Sequence, residues 1–144
     1  MKRRALLAGI AAAGLVASLS GCTLASALTP PVESQLYATK ADASGPDATI
    51  QIPSFVPDDA AMIRIKENAE TGDTILKWDD PSPEAIGAAC DPSVAGVQPT
   101  MDDTWWPQTL DMTVVSCQDD WHVLFLASSQ FVAWKVGNPA PTGN

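Results

Sequence analysis

His122 is the only histidine of the chain and follows directly on Asp119-Asp120-Trp121. An imidazole beside a carboxylate can serve as a general base. No serine or cysteine nucleophile motif accompanies it, however, and neither an HExxH run nor paired CxxC spacing is present. A histidine held structurally near a strand end is the expectation. Aspartate pairs occur at Asp58-Asp59, Asp79-Asp80, Asp102-Asp103 and Asp119-Asp120. Calcium needs several carboxylates converging on one point. Adjacent aspartates in extended chain point apart, and these pairs sit beside turns or prolines, where aspartate bends and caps the chain locally. Glycoside hydrolysis needs two carboxyl groups facing each other across a cleft, and a domain this small hardly builds a deep one. A chain without catalytic activity, metal or cofactor is expected.

The tryptophans offer a different chemistry. Trp105-Trp106-Pro107 follows Asp102-Asp103 in a segment containing Pro92, Pro99 and Pro107. Indole faces beside carboxylates can stack on a sugar and accept its hydroxyl hydrogens, which makes Trp105, Trp106, Asp102 and Asp103 candidate ligands for a wall polysaccharide. The alternative is an aromatic plug, one indole closing the core and the other half-exposed.

The elements that must position these residues are read from periodicity. Met62 to Lys66 alternates with Ile63 and Ile65 on one face, Glu70-Thr71-Gly72-Asp73 is turn-like, and Thr74 to Trp78 resumes, which predicts a hairpin. Met112–Cys117, Trp121–Leu126 and Phe131–Val136 read as a three-stranded meander whose middle strand is apolar on both faces. Thr49 to Ile52 is at best a short edge strand, and Asp58 or Asp59 can cap a turn over Ala60 and Ala61. Ser82-Pro83-Glu84 has the signature of a helix start, predicting a short helix to about Ala89 that ends at Cys90. The expected class is α+β: a small antiparallel sheet of about five strands, a hairpin plus a C-terminal meander, with one short helix and one disulfide. Residues 49–137 form this globular part. Residues 22–48, rich in small and polar types, read as a flexible tether with a reach of about 25–30 Å, and residues 138–144 as a disordered tail.

The first 22 residues have another character. Lys2, Arg3 and Arg4 precede an uncharged apolar run from Ala5 to Ser20, the layout of a secretory signal. As a helix that run spans roughly 24 Å at about 1.5 Å per residue, short of the about 20 residues a bilayer span needs. Leu19-Ser20-Gly21-Cys22 resembles the lipobox of bacterial lipoproteins. The resemblance implies cleavage after residue 21, a diacylglyceryl thioether on Cys22, and anchoring of the domain to the membrane. Two acyl chains hold stably where one does not. An uncleaved anchor from Ala5 to Leu28 is the alternative, and it too leaves the domain outside, the basic end being cytoplasmic. Arg3-Arg4 fits either a twin-arginine signal or an ordinary basic leader.

Charge and cysteines follow from that cut. Three of the eight basic residues leave with residues 1–21 while all 17 acidic residues stay, which changes the net charge from −9 to −12. Such a surface repels nucleic acid and anionic headgroups, so nucleic acid is not an expected partner. With Cys22 committed to lipid, Cys90 and Cys117 remain as an even pair in an oxidising compartment and predict a disulfide, free buried thiols being the alternative.

Further stretches, Ile52-Pro53-Ser54-Phe55-Val56-Pro57-Asp58-Asp59-Ala60, Cys90, Trp105-Trp106-Pro107, Ser116-Cys117 with Trp121, and Val132-Ala133-Trp134, resemble a group of small actinobacterial lipoproteins and secreted proteins without assigned activity. That resemblance implies an envelope with a single membrane, and hence the outer face of the plasma membrane. The functional expectation is a noncatalytic binding or interaction domain whose partner is an envelope protein or wall polysaccharide. A carbohydrate-binding module and, more remotely, a small envelope hydrolase are the alternatives.

Overall fold

The computed structural model describes residues 31–137. Among these residues seven strands form one antiparallel sheet: β1 Val32–Thr39, β2 Ala61–Asn68, β3 Thr74–Asp79, β4 Ala88–Ala89, β5 Ser116–Gln118, β6 Trp121–Leu126 and β7 Gln130–Lys135. Their spatial order is β1-β2-β3-β7-β6-β5-β4. The β2–β3 hairpin and the β5–β6–β7 meander meet where β3 pairs β7, with Ile75 opposite Trp134 and Trp78 opposite Phe131.

Strict alternation makes the centre of this sheet two-sided. On one face lie Tyr37, Ile63, Ile65, Leu76, Trp78, Trp121, Val123, Phe131 and Ala133. On the other lie Ile75, Leu124, Val132 and Trp134. Residues with period two must divide this way, and a central strand apolar on both sides requires a cover on each. Irregular chain supplies both covers. Residues 40–60 fold across the first face, burying Ala43, Ile50, Val56 and Ala60 with Phe55 and Ile52 beside them. Residues 91–115 fold across the second with Met101, Trp105, Trp106, Leu110, Met112 and Val115. Prolines are compatible with both covers because neither contributes a ladder strand.

The α+β expectation is therefore overturned. The described residues contain no α-helix, only two 3₁₀ turns, Asp42–Ser44 and Met112–Val114. The expected helix after Ser82 does not form. Fewer than two turns were available, too few to nucleate a helix cheaply. Gly87 takes a left-handed φ of 77°, and Ala88 and Ala89 pair with Cys117 and Ser116 as the outermost strand β4. A Cβ on Gly87 would run into the Cys117 carbonyl, so only glycine lets the chain approach so closely.

The tether expectation is corrected as well. Part of residues 22–48 is the eight-residue strand β1, paired along β2 from Val32–Asn68 to Thr39–Ala61. Of its side chains only Tyr37 is buried, so hydrophobic periodicity could not reveal it. Polar contacts fasten it instead: the Tyr37 hydroxyl donates to the Ile50 carbonyl at 2.8 Å, and Gln35 Oε1 accepts from the Thr49 N–H at 3.1 Å. Thr49–Ile52 forms no strand. The first residues of the expected strand Met112–Cys117 form the 3₁₀ turn, whose cap Asp111 accepts from the Thr113 N–H at 3.0 Å. The leader 1–21, Cys22 and the tail 138–144 lie outside the described residues.

Candidate functional site

Trp105, Trp106, Asp103 and His122 come together on the second face, where each serves the packing of the cover on the sheet. Trp106 is buried, and its ring meets Trp134 edge-on at 6.4 Å and Trp105 at 5.9 Å with an 80° angle between the two indoles. Two indoles at right angles do not make a flat platform for a sugar ring. They make a plug, as the alternative reading held. Asp103 does not face them as a ligand. Its Oδ2 lies 3.0 Å from Lys66 Nζ, which also donates to the Asp102 carbonyl at 2.9 Å, so that β2 clamps the covering segment onto the sheet. Members of two further pairs are also engaged within the fold: Asp58 pairs with Lys40 at 2.8 Å, Asp79 accepts from Gln130 at 2.9 Å, and Asp80 accepts from the Ser82 N–H at 2.9 Å.

His122 is buried and stacked on Trp134 at 5.1 Å between ring centroids, the planes 13° apart. Its Nε2 lies 2.9 Å from the Val94 carbonyl. A carbonyl only accepts, so Nε2 carries the proton. Trp134 Nε1 donates to the Val97 carbonyl at 3.0 Å, and the two rings together pin residues 94–97 to the sheet. Asp120 points elsewhere, 3.9 Å from Lys135. The structure thus does not bring His122 and the Asp119-Asp120 pair together as a base. Cys90 and Cys117 are joined by a disulfide with their Cα atoms 4.9 Å apart, which ties the start of the second cover to β5.

An open and mainly apolar concavity lies on the first face, where the sequence pointed to nothing. A cleft of about 530 Å³ runs between residues 83–89 and strands β5–β7, lined by Pro83, Ile86, Ala88, Val114, Phe125 and Phe131. Its size falls within the range of small-ligand sites. Phe125 is 50% exposed and Val114 63% exposed at its mouth, while the Phe125 ring rests against Phe131 at 4.9 Å. The wall is held by the Ser116 hydroxyl, which donates to the Ile86 carbonyl at 2.6 Å. Glu84 supplies a charged residue to the lining. Pro83 and Gly87 both line the cleft, and Gly87 with its φ of 77° turns the crossing segment toward β5. The alternation placed Phe125 on the face of Trp121 and Val123 but gave no sign that its cover would stop short.

Among the described residues Asp58, Asp73, Asp91, Asp103 and Asp111 are held below the ordinary carboxylate range, which ties stability to pH. Burial raises Asp73, but donation from the Thr71 hydroxyl, the Gly137 N–H and Thr100 outweighs it and holds the group below the ordinary carboxylate range. The Lys66 hydrogen bond does the same for Asp103, and the Thr113 hydroxyl for Asp111. A carboxyl depressed on folding binds its proton more readily in the unfolded chain, so its stabilisation is present above the unfolded value near about 4 and lost as pH falls through the folded value. Thermal melts followed by tryptophan fluorescence should be nearly level from about pH 7 to 5 and fall below about pH 4. Asp73→Asn should flatten part of that fall. An unchanged melting temperature down to about pH 2 would contradict the assignment.

No protein-family model, curated protein or solved structure matches this chain, so its likeness to known proteins adds nothing to what the cleft and the sheet themselves show.

Proposed function

We propose that the chain is an exported lipoprotein held by lipid on Cys22 at the outer face of the plasma membrane, and that its sheet domain is a noncatalytic module that binds another envelope protein. The apolar cleft beside Phe125 carries this reading. A half-exposed phenylalanine and valine around a cavity of this size leave apolar surface that a partner's side chains would remove from water. The occupant that fits is an extended apolar peptide segment flanked by basic residues. Glu84 at the cleft and the five basic against 17 acidic residues beyond the leader favour such flanks. The wall-polysaccharide reading loses its support in the perpendicular indoles and in the engagement of Asp103 by Lys66.

The test is site-directed photocrosslinking in living cells. A photoreactive phenylalanine analogue at Phe125 should capture a discrete envelope protein, and the same analogue at Leu36, exposed on β1 at the far side of the sheet, should not. Identical products from both positions, or none from Phe125, would refute the cleft as the binding surface.

A further inference from the structure

Cys117 and His122 stand directly opposite each other on β5 and β6, and His122 stands opposite Trp134 on β7, so the three share one row of the sheet face. Cys90 joins the row through its bond to Cys117. A ring nitrogen of His122 and both sulfurs lie within 4.8 Å of one another. Tetrahedral coordination by two thiolates and an imidazole separates the donor atoms by roughly 3.5–3.8 Å, given metal–ligand bonds of about 2.0–2.3 Å. Side-chain adjustments cover that difference.

One nitrogen of the imidazole is left unused by the fold. With the Nε2 proton given to the Val94 carbonyl, Nδ1 holds a lone pair, and it is buried without any hydrogen-bond partner. A buried acceptor left unsatisfied is costly. A histidine whose other nitrogen donates to a backbone carbonyl is the usual arrangement of a metal ligand, since the outer hydrogen bond fixes tautomer and ring orientation. Stacking on Trp134 fixes the ring further. Both cysteines are only partly buried, so a small dithiol can reach the bond.

The geometry points to a redox-gated site for a thiophilic cation of the zinc class, formed by Cys90, Cys117 and His122 when the disulfide is reduced. A dithiol reductant passes two electrons to the disulfide, leaving itself as a disulfide and the protein with two thiols. The cation then displaces the two thiol protons and bonds both thiolates and the neutral imidazole, its fourth position taken by solvent. The oxidised pair has no thiolate to offer and binds no metal. The surplus of acidic side chains raises cation concentration near the surface.

The test uses the detergent-purified chain with and without a phosphine reductant, titrated with Co²⁺ and Zn²⁺ while circular dichroism reports folding. The reduced chain should bind one equivalent, with thiolate-to-cobalt charge-transfer absorption and the d–d bands of a tetrahedral ion; the oxidised chain should show neither. Cys22→Ser should keep the spectrum, which separates this site from the anchoring proposal. His122→Ala and Cys90→Ala should each weaken binding at least about tenfold. If reduction loosens the fold, one equivalent of Zn²⁺ should restore it. Absence of one-to-one binding, octahedral Co²⁺ bands, equal affinity in the variants, or unfolding that Zn²⁺ does not reverse would each overturn the site.

Discussion

Trp134→Ala should lower the melting temperature by roughly 20 °C and leave little of the protein's stability. Trp134 is fully buried at the centre of the second core cluster, between His122 and Trp106, and its indole N–H satisfies the Val97 carbonyl. Truncating a buried tryptophan costs about 3–5 kcal/mol in lost burial and cavity, and the orphaned carbonyl adds about 1 kcal/mol. At roughly 4–8 °C per kcal/mol for a domain of this size, the shift is large. Trp105→Ala is the informative control. Trp105 is only partly buried against the same cluster, so about 1–2 kcal/mol is expected. Equal losses at the two positions, measured by thermal denaturation, would mean that the second cover is not organised around Trp134.

Replacing both cysteines, Cys90→Ala with Cys117→Ala, should cost about 3.5 kcal/mol by the chain-entropy relation for a loop of 27 residues. The loss is local in origin. β4 contributes only two residue pairs to the sheet, so without the covalent tie its edge opens first. Hydrogen exchange in residues 83–97 should accelerate far more than in β3 or β7. Uniform acceleration over the whole sheet would contradict this picture. The Phe125 cleft shares its wall with that edge, and so the disulfide also sets the cleft's shape.

What could be read before folding was whatever rested on strong alternation or on simple pairing. Ile63 and Ile65 on β2, and the two-sided run from Trp121 to Leu126, locate the hairpin and the meander because one shift of register would put them in water. The even cysteines predicted their bond, and the proline-bounded tryptophans their plug. β1 was illegible because an edge strand held by Gln35 and Tyr37 needs almost no apolar period. Ser82-Pro83-Glu84 is a sound local start signal for a helix, but Gly87 and pairing with β5 override it. The cleft had no local signal at all, since its walls come from residues 83–89 and 114–131, brought together only by the sheet. The row of Cys117 and His122 depended on a detail of the same kind. A two-residue turn at Asp119-Asp120, with Asp119 at a φ of 55°, sets the register that aligns them.

Whether this sheet works from a lipid tether is decided by the intact mass of the native chain, extracted with detergent from cell membranes. The expected mass corresponds to a polypeptide that begins at Cys22 and carries a diacylglyceryl group on its sulfur. A chain that still begins at Met1, with an unmodified thiol at Cys22, would contradict the anchoring and, with it, the placement of the cleft among envelope proteins.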